Sequence, residues 1–584
     1  MAEFSPSPTL PPPQRSRSLA IAQLLTALLF LWVTNLVIHT GLGWINNLLR
    51  WVRWPIRLYG LAAFDQTYTS WIVIGLGGLA LASPWLLDSL LSLAYGQRPL
   101  SSRQLQQDHS DLLQHLRQTC RQQGWQLPEL RLLPEAVPLC FSYGSWPGPP
   151  RIVASQALLE KFSEAELRAL YSYELAHQAN GDLPVISTLG LGQLATYTAY
   201  WHLASWGDSR GRAIAWAAGG GANALYLLFW GLRQLSLWLS RWRSQAADRR
   251  ALTFHNRPTD HQQALLHLSA AIASDSQGRG YPHPLTVALE TLLPVSSRAA
   301  TSPGSFLRRH NRDTLLADDR DNPYRRWLVT QSSHLPLGDR LGWLASQTAS
   351  GQNPIWGIAP GTQSTWPAFS RSLLAQQKGP LLGLLSGAAL ALGLWWVGGV
   401  ADPLGWYALS SFYQDGDLLR GGIGLGLGLG MLSRINRLYP DLSPDLTTSS
   451  QIWAVLVNAH HRLPVDGQPL HVEGTLVGAP GLANGLGQQL YLATGGGLIK
   501  LGWTTAQLGW IQLAQPQHHP GQWLGEPVRI RGWGRRGGGS FWLDVAQATC
   551  LNQPGQHYVD QGPWIQTLIS LGLALGGVGL LGWG

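Results

Sequence analysis

Charge is what this sequence has least of. Only 12% of its 584 residues are Asp, Glu, Lys or Arg, near half the ~25% usual in soluble globular chains. That argues against a purely soluble protein and against an acidic disordered one. Lysine is almost missing, with Lys161, Lys378 and Lys500 as its only occurrences. The excess of 41 basic over 32 acidic residues is therefore nearly all arginine, and it is scattered, which gives no footing for nucleic acid. Cysteine is scarce too: Cys120, Cys140 and Cys550 lie far apart with no C-x-x-C pair, so there is neither a disulfide framework nor a thiolate zinc site. Any metal must use His and carboxylate. Against these absences stand 45% hydrophobic residues, 29 Trp and 67 Gly in a length of roughly four domain-equivalents. Part of the chain belongs in lipid.

Leu19 to Ile38 is about the ~20 apolar residues that cross a bilayer. Arg15 and Arg17 precede it, and no small-x-small cleavage site follows, so it is expected to be retained as a first membrane helix. Trp71 to Leu91 is a second, and between them the mixed stretch Trp44 to Tyr59 is expected to lie along the interface, so that 19–91 makes a membrane hairpin with an interfacial helix. Pro184 to Trp206 and Ala213 to Leu239 form an inserted hairpin (184–239), whose plainer reading is a buried hairpin of a soluble domain. Pro380 to Ala401 and the short, Gly-rich Leu418 to Leu432 form another (380–433), and Trp564 to Trp583 (564–583) is a last membrane helix. Arg371, Lys378, Arg434 and Arg437 flank the outer ends of the 380–433 hairpin while Asp402, Asp415 and Asp417 fill its loop. The large soluble segments are thus expected on the cytoplasmic side of a multi-pass membrane protein.

Residues 1–18, rich in proline, are expected to be disordered, and 351–379 to be a linker. From Ser101 to Trp125 the leucines fall at helical spacing; Leu130 to Leu133 and Arg151 to Val153 suggest strands. Residues 92–350 therefore read as a mixed α/β domain, mostly helical after the inserted hairpin. Residues 466–550 change character to about five short alternating runs between Gly-rich turns, the pattern of a small β-barrel of the OB type. Its Arg529, Arg531, Arg535, Arg536 cluster with Trp533 and Trp542 could contact single-stranded nucleic acid. A hairpin turn at Arg535, Arg536 and the glycines after them is the better reading, and no nucleic-acid partner is expected.

Chemistry gathers in one helix. Ser163 with Glu166 three residues on is a capping box, and Gly181 with Pro184 closes the run. On it sits Tyr173-Glu174-Leu175-Ala176-His177, which is H-E-x-x-H with tyrosine for the first histidine. In the intact motif two imidazoles one turn apart hold zinc while the glutamate activates water. Alone, Y-E-x-x-H is a weak signal, because Glu and His three apart on a helix face are common.

The surroundings strengthen it. Ile152 to Leu159 followed by Phe162 to Leu167 resembles the edge strand and lead-in helix of the HtpX-like membrane metallopeptidases, the family that includes the CAAX prenyl protease. Asn180-Gly181-Asp182, Ser240 to Arg249, and Ser333-His334-Leu335-Pro336-Leu337-Gly338-Asp339-Arg340-Leu341 resemble further landmarks of that family in the same order, with a membrane hairpin between the first two. The resemblance covers roughly Arg15 to Ala345 and leaves out everything after Pro380. It implies a mainly α polytopic membrane protein, with the barrel-like segment as an addition. It further implies zinc-dependent peptide-bond hydrolysis in membrane-protein quality control, with Glu174 as general base and His177 as a retained ligand position. By the same resemblance Tyr173 and Ser244 stand at substituted ligand positions, since the third ligand would open E-x-x-x-D four residues before Asp248. Asp248, His334 and Arg340 are structural residues near the site. A catalytic zinc normally keeps three protein ligands, and two of the three are replaced here. The preferred reading is a family member with a decayed zinc site and no cofactor that binds or scaffolds membrane-protein or unfolded segments. The alternative is an active zinc metalloendopeptidase in which Asp248, His255 or water completes the site. Two readings of Glu174 stand side by side: a retained general base, or a helix carboxylate paired with an arginine such as Arg243.

Overall fold

Long apolar runs become long helices. In this computed structural model the described residues are 17–51, 68–145, 148–255, 257–301, 316, 319, 328–347, 366–414, 417–442, 467–479, 489–503, 520–537, 540–553, 557–560 and 562–582. Five helical stretches are long and apolar enough to cross a membrane: Arg17–Gly43, Thr69–Tyr95, Ala213–His255, Lys378–Leu404 and Gly562–Leu581. Much of their apolar surface faces outward, Trp32, Trp71, Trp396 and Leu568 among the exposed side chains. This is a membrane protein. The first helix, α1 (Arg17–Trp51), already begins at Arg17, inside the stretch expected to be disordered, and runs on into the interfacial stretch, whose remainder lies outside the described residues.

After α2 (Thr69–Tyr95) comes a mixed α/β unit. A four-stranded sheet has the order β1 (Arg98–Pro99), β2 (Glu129–Leu133), β4 (Arg151–Ser155), β3 (Cys140–Tyr143); β2 and β4 are parallel and the other pairs antiparallel. Helices α3 (Ser102–Asp108), α4 (Ser110–Gln123), α5 (Gln156–Lys161) and α6 (Glu164–Asn180) share a core with it, in which Leu112, Leu116, Ile152, Leu167 and Leu170 are buried. Strand β3 shows no alternation because all four of its residues are buried. Sequence patterning misses it for that reason.

Helices α7 (Leu183–Asp208) and α8 (Arg212–His255) form the inserted hairpin. Helix α7 is not among the five apolar stretches, because Ser187, Thr188, Gln193 and Thr198 lie on it, buried. Gln193 is satisfied on both sides, donating to Ser236 Oγ and accepting from Thr291 Oγ1. The chain continues through α9 (Pro258–Arg279), α10 (Pro284–Ala288), α11 (Ser297–Thr301) and α12 (Leu337–Ser346).

Helix α13 (Trp366–Ala401) starts within the stretch expected as linker and carries Pro380 inside it. After α14 (Tyr407–Gln414), α15 (Leu418–Leu432) is 15 residues long, about 22 Å at 1.5 Å per residue and short for a span. Its glycines compensate by close packing. A Cβ at Gly426 would stand 2.0 Å from the Gly383 carbonyl oxygen of α13, and one at Gly428 would stand 2.5 Å from the Ala574 nitrogen of the last helix. Small residues that let backbones touch are the usual seam of membrane helices.

Between α16 (Ile435–Leu438) and the last helix, α17 (Gly562–Gly582), lies the barrel. Strands β5 (Gln468–Gly478), β6 (Leu490–Thr494), β7 (Gly497–Gly502), β8 (Pro527–Gly537) and β9 (Ser540–Cys550) pair β5–β6–β7–β9–β8–β5, a closed ring with β7 and β9 parallel; β10 (His557–Val559) adds to β9. This is an OB-like closed barrel. Arg535 and Arg536 are not in a turn but near the end of β8. Arg535 donates to Asp544 at 2.6 Å and Arg536 stacks over Phe541, while Arg529 pairs with Glu473. The barrel core is continuous with Leu266 and Ala273 of α9 and Leu341 of α12.

Candidate functional site

Helix α6 is fixed at both ends. Ser163 and Glu166 make the reciprocal capping box, and Gly181 at φ 67° closes the helix in the left-handed conformation that glycine adopts without strain. The αL closure turns the chain back, and Asp182, five residues after His177, returns to the imidazole. Its Oδ2 lies 2.9 Å from His177 Nδ1 and its Oδ1 accepts from Arg243 Nε at 3.1 Å. Burial pushes the Asp182 carboxyl up, but His177 and Arg243 together hold it below the ordinary range. Burial and then Arg243 lower the His177 imidazole. Its Nε2 is buried with no hydrogen-bond partner among the described residues. A carboxylate on one ring nitrogen and nothing on the other is the posture of a metal-ligating histidine.

Glu174 lies on the same helix, three residues before His177, and bonds to β3. Its Oε2 accepts from Ser142 Oγ of β3 at 2.6 Å, and Oε1 has no partner among the described residues. Burial raises its pKa to about 8, with Ser142 and Arg243 opposing. Arg243 does not pair with it, because its Nε goes to Asp182 and its Nη1 donates to the Thr291 carbonyl at 3.0 Å.

The two substituted positions behave differently. Tyr173 packs in a small apolar cluster with Ala176, Ala247 and Ala251, which brings α6 and α8 face to face. Its ring stands edge-on to His177 with centroids 5.0 Å apart, and the Arg340 guanidinium lies over it, 5.7 Å from its centroid. Burial pushes the phenol well above its ordinary range. Ser244 is buried and its Oγ donates to the Arg241 carbonyl of its own helix at 3.0 Å.

Around them runs a second charged group. Arg340 donates to both Asp248 oxygens, Nη2 to Oδ1 at 2.7 Å and Nε to Oδ2 at 2.8 Å, and Nη1 donates to the Pro294 carbonyl at 2.5 Å. His261 Nε2 of α9 adds a contact to Asp248 Oδ1 at 3.1 Å. His334 bonds through Nε2 to the Leu293 carbonyl at 2.7 Å and has Nδ1 2.9 Å from Ser333 Oγ. His255 spends Nδ1 on the Ala251 carbonyl. Thus Tyr173, Asp248 and Arg340 group together, His177, Asp182 and Arg243 form a second network, Glu174 bonds to Ser142 of β3, and His334 is a loop anchor. Sequence reasoning gave no role to Asp182, Ser142 or His261. Only Asp182 had a local signal, an acidic residue directly after the C-cap glycine.

For a metal the donor set falls short. Among the described residues no three His, Cys, Asp or Glu side chains are gathered so as to hold an ion. His177 offers one bare nitrogen, Ser244 is turned to its own backbone, the Tyr173 phenol is held in its protonated form, and Asp248 is bound by Arg340 and His261. These residues do not fit the three-ligand tetrahedral site of a catalytic zinc. Tyr173, Glu174 and His177 are each about 1% exposed, so the site is also closed to solvent.

Comparison with known proteins follows the same residues. The model of Peptidase family M48 matches residues 100–304. Protease HtpX of Pseudomonas fluorescens (strain Pf0-1) is 35% identical over 78 residues, 13% of this chain and 26% of the relative. A protease HtpX homolog of Syntrophobacter fumaroxidans is 25% identical over 224 residues, 37% of this chain and 77% of the relative. Protease HtpX of Pseudomonas aeruginosa (strain LESB58) is 27% identical over 139 residues, 23% of this chain and 47% of the relative. The chain thus spans between about a quarter and three quarters of the lengths of these relatives. No solved structure matches it.

Proposed function

We propose that the chain, whose residues 100–304 match Peptidase family M48, is a membrane-bound HtpX-like member whose metal position has been taken over by side chains. It keeps the fold as a surface that binds or scaffolds membrane-protein segments. The observation carrying this reading is the Tyr173–Arg340–Asp248–His261 group, which occupies the space one helical turn from His177, with Asp248 bonded by Arg340 and His261 and the Tyr173 ring packed against both. The inward arrangement of Ser244 supports it. The buried state of β3, all four residues, also argues against a substrate strand adding to that edge. The arginine bias around the 380–433 hairpin supports placing the large soluble segments on the cytoplasmic side.

A second reading is favoured by one arrangement, the Asp182-oriented His177 with a bare Nε2 beside Glu174. It makes the chain an active zinc metalloendopeptidase with substitute ligands. Metal analysis of the detergent-purified full chain separates the two. The scaffold reading expects well under one zinc per chain and no cleavage of unfolded casein that depends on Glu174. About one tightly held zinc, with cleavage lost in Glu174→Gln, would overturn it. The double variant Tyr173→His with Ser244→Glu is expected to gain zinc at about one ion per chain, because it supplies the two missing donors. Failure to gain zinc while staying folded would mean that positions 173, 177 and 244 do not share one cleft.

A further inference from the structure

Away from the helix α6 site, a cavity of about 520 Å³ lies between the barrel and the membrane hairpin, a size typical of small-molecule sites. Helix α8 gives it Trp230 and Arg233, the segment around α11 gives Glu290 and Arg298, and β7 with the residue after it gives Lys500 and Trp503. Three cations therefore face one carboxylate, since the other acid in the wall, Asp544, is matched by Arg535.

That carboxylate is already occupied. Glu290 accepts from Arg233 Nε at 2.8 Å, from Ser296 at 2.7 Å and from Ser333 at 3.0 Å, with Arg298 Nε at 3.5 Å. Lys500 is left with no ion pair or hydrogen bond among the described residues, although it is only partly exposed. Burial, then Arg298 and Arg233, pull its pKa down to about 7, Glu290 opposing. Trp503, about 1% exposed, has an indole N–H with no acceptor among the described residues. Buried donors without acceptors are costly. Lys500, an ammonium with no partner among the described residues in a cavity of surplus positive charge, defines a place for an anion.

The neighbourhood narrows the anion's class. Trp230 is 48% exposed, and Leu227 and Leu228 beside it are exposed at 67% and 50%, all within the apolar stretch of α8. The cavity therefore adjoins a lipid-facing surface. We propose that it binds the phosphate of an anionic membrane lipid, with Lys500 donating to a phosphate oxygen, Arg298 beside it, and the acyl chains lying along Leu227 and Trp230.

The test uses the full chain, delipidated in dodecyl maltoside and titrated with dioleoylphosphatidylglycerol, dioleoylphosphatidylcholine or inorganic phosphate, with bound stoichiometry read by native mass spectrometry and stability by melting temperature. Phosphatidylglycerol is expected to bind one per chain and raise Tm, and phosphatidylcholine to do neither. Lys500→Met should weaken phosphatidylglycerol by about tenfold or more, the equivalent of one charged hydrogen bond. Its lipid-free Tm should equal or exceed that of the wild type, because an unpaired ammonium has been removed. A structural lysine would give the opposite, a lowered lipid-free Tm. Equal binding of the two lipids, or unchanged affinity in folded Lys500→Met, overturns the proposal. Inorganic phosphate binding as tightly as phosphatidylglycerol overturns the lipid and leaves a free phosphate as the occupant.

Discussion

Arg340→Met tests whether the remodelled cleft is held by charge. In the folded chain Asp248 is buried and receives two hydrogen bonds from Arg340, at 2.7 and 2.8 Å, and one contact from His261 at 3.1 Å. Methionine keeps most of the volume and removes the cation, which leaves a buried carboxylate with one remaining partner. Breaking a buried pair from one side costs about 3–5 kcal/mol. Asp248→Leu strands the guanidinium in the same way and should cost a similar amount. The double variant removes both charges, so its residual cost is that of the unpaired His261 and the Pro294 carbonyl, about 1–3 kcal/mol for each such group. The single costs therefore should not add, and the coupling should be about 2 kcal/mol or more. In a cooperative unit near 200 residues each kcal/mol moves Tm by about 2–4 °C. Each single variant should melt about 6–20 °C lower in detergent, with the double variant above the sum of the two losses. Additive losses, or an Arg340→Met loss below about 1 kcal/mol, would refute the account of Arg340 as the cation that keeps Asp248 charged inside the protein.

Two further outcomes follow from packing and bonding. Gly426→Ala should lower Tm by the equivalent of about 1–3 kcal/mol, because the Cβ would stand 2.0 Å from the Gly383 oxygen and force α13 and α15 apart. Gly576→Ala, with nothing within 4 Å, should be neutral or gain up to about 1 kcal/mol of helix propensity, so equal effects of the two variants in a thermal melt would contradict the glycine seam. Ser244→Ala loses one hydroxyl bond to its own helix and should cost at most about 1 kcal/mol. Asp182→Asn, which uncouples His177 from Arg243, should cost about 3–5 kcal/mol, and a reversed order in urea unfolding would move the structural centre away from Asp182.

What could be read from the sequence depended on how local each signal was. The capping box, the αL glycine and the Tyr173 to His177 spacing are contained within one helix, so the site helix was legible residue by residue. The barrel was legible because its strands alternate and its turns are rich in glycine. Strand β3 was not, since both its faces are buried and alternation vanishes. Helix α7 reads as an apolar run, yet its buried Gln193 is satisfied by α8 and by Thr291, partners that no window along α7 contains. The pairing of Arg243 with Asp182 rather than Glu174 was hidden for the same reason. Both carboxylates are near the right helix in sequence, and only the backbone reversal at Gly181 selects one. His261 enters from α9 and leaves no trace near the motif.

The barrel leaves the membrane helices and returns to them at neighbouring places, since α15, which leads into it, is packed against α17, which follows it. A module carried this way behaves as a cassette. Cutting it out with a short connector would keep the order of the helices on either side but uncover Leu266, Ala273 and Leu341, which share its core. The three-helix seam of glycines would then persist as a folded membrane unit, while the cavity beside α8 would lose the wall that β7 supplies.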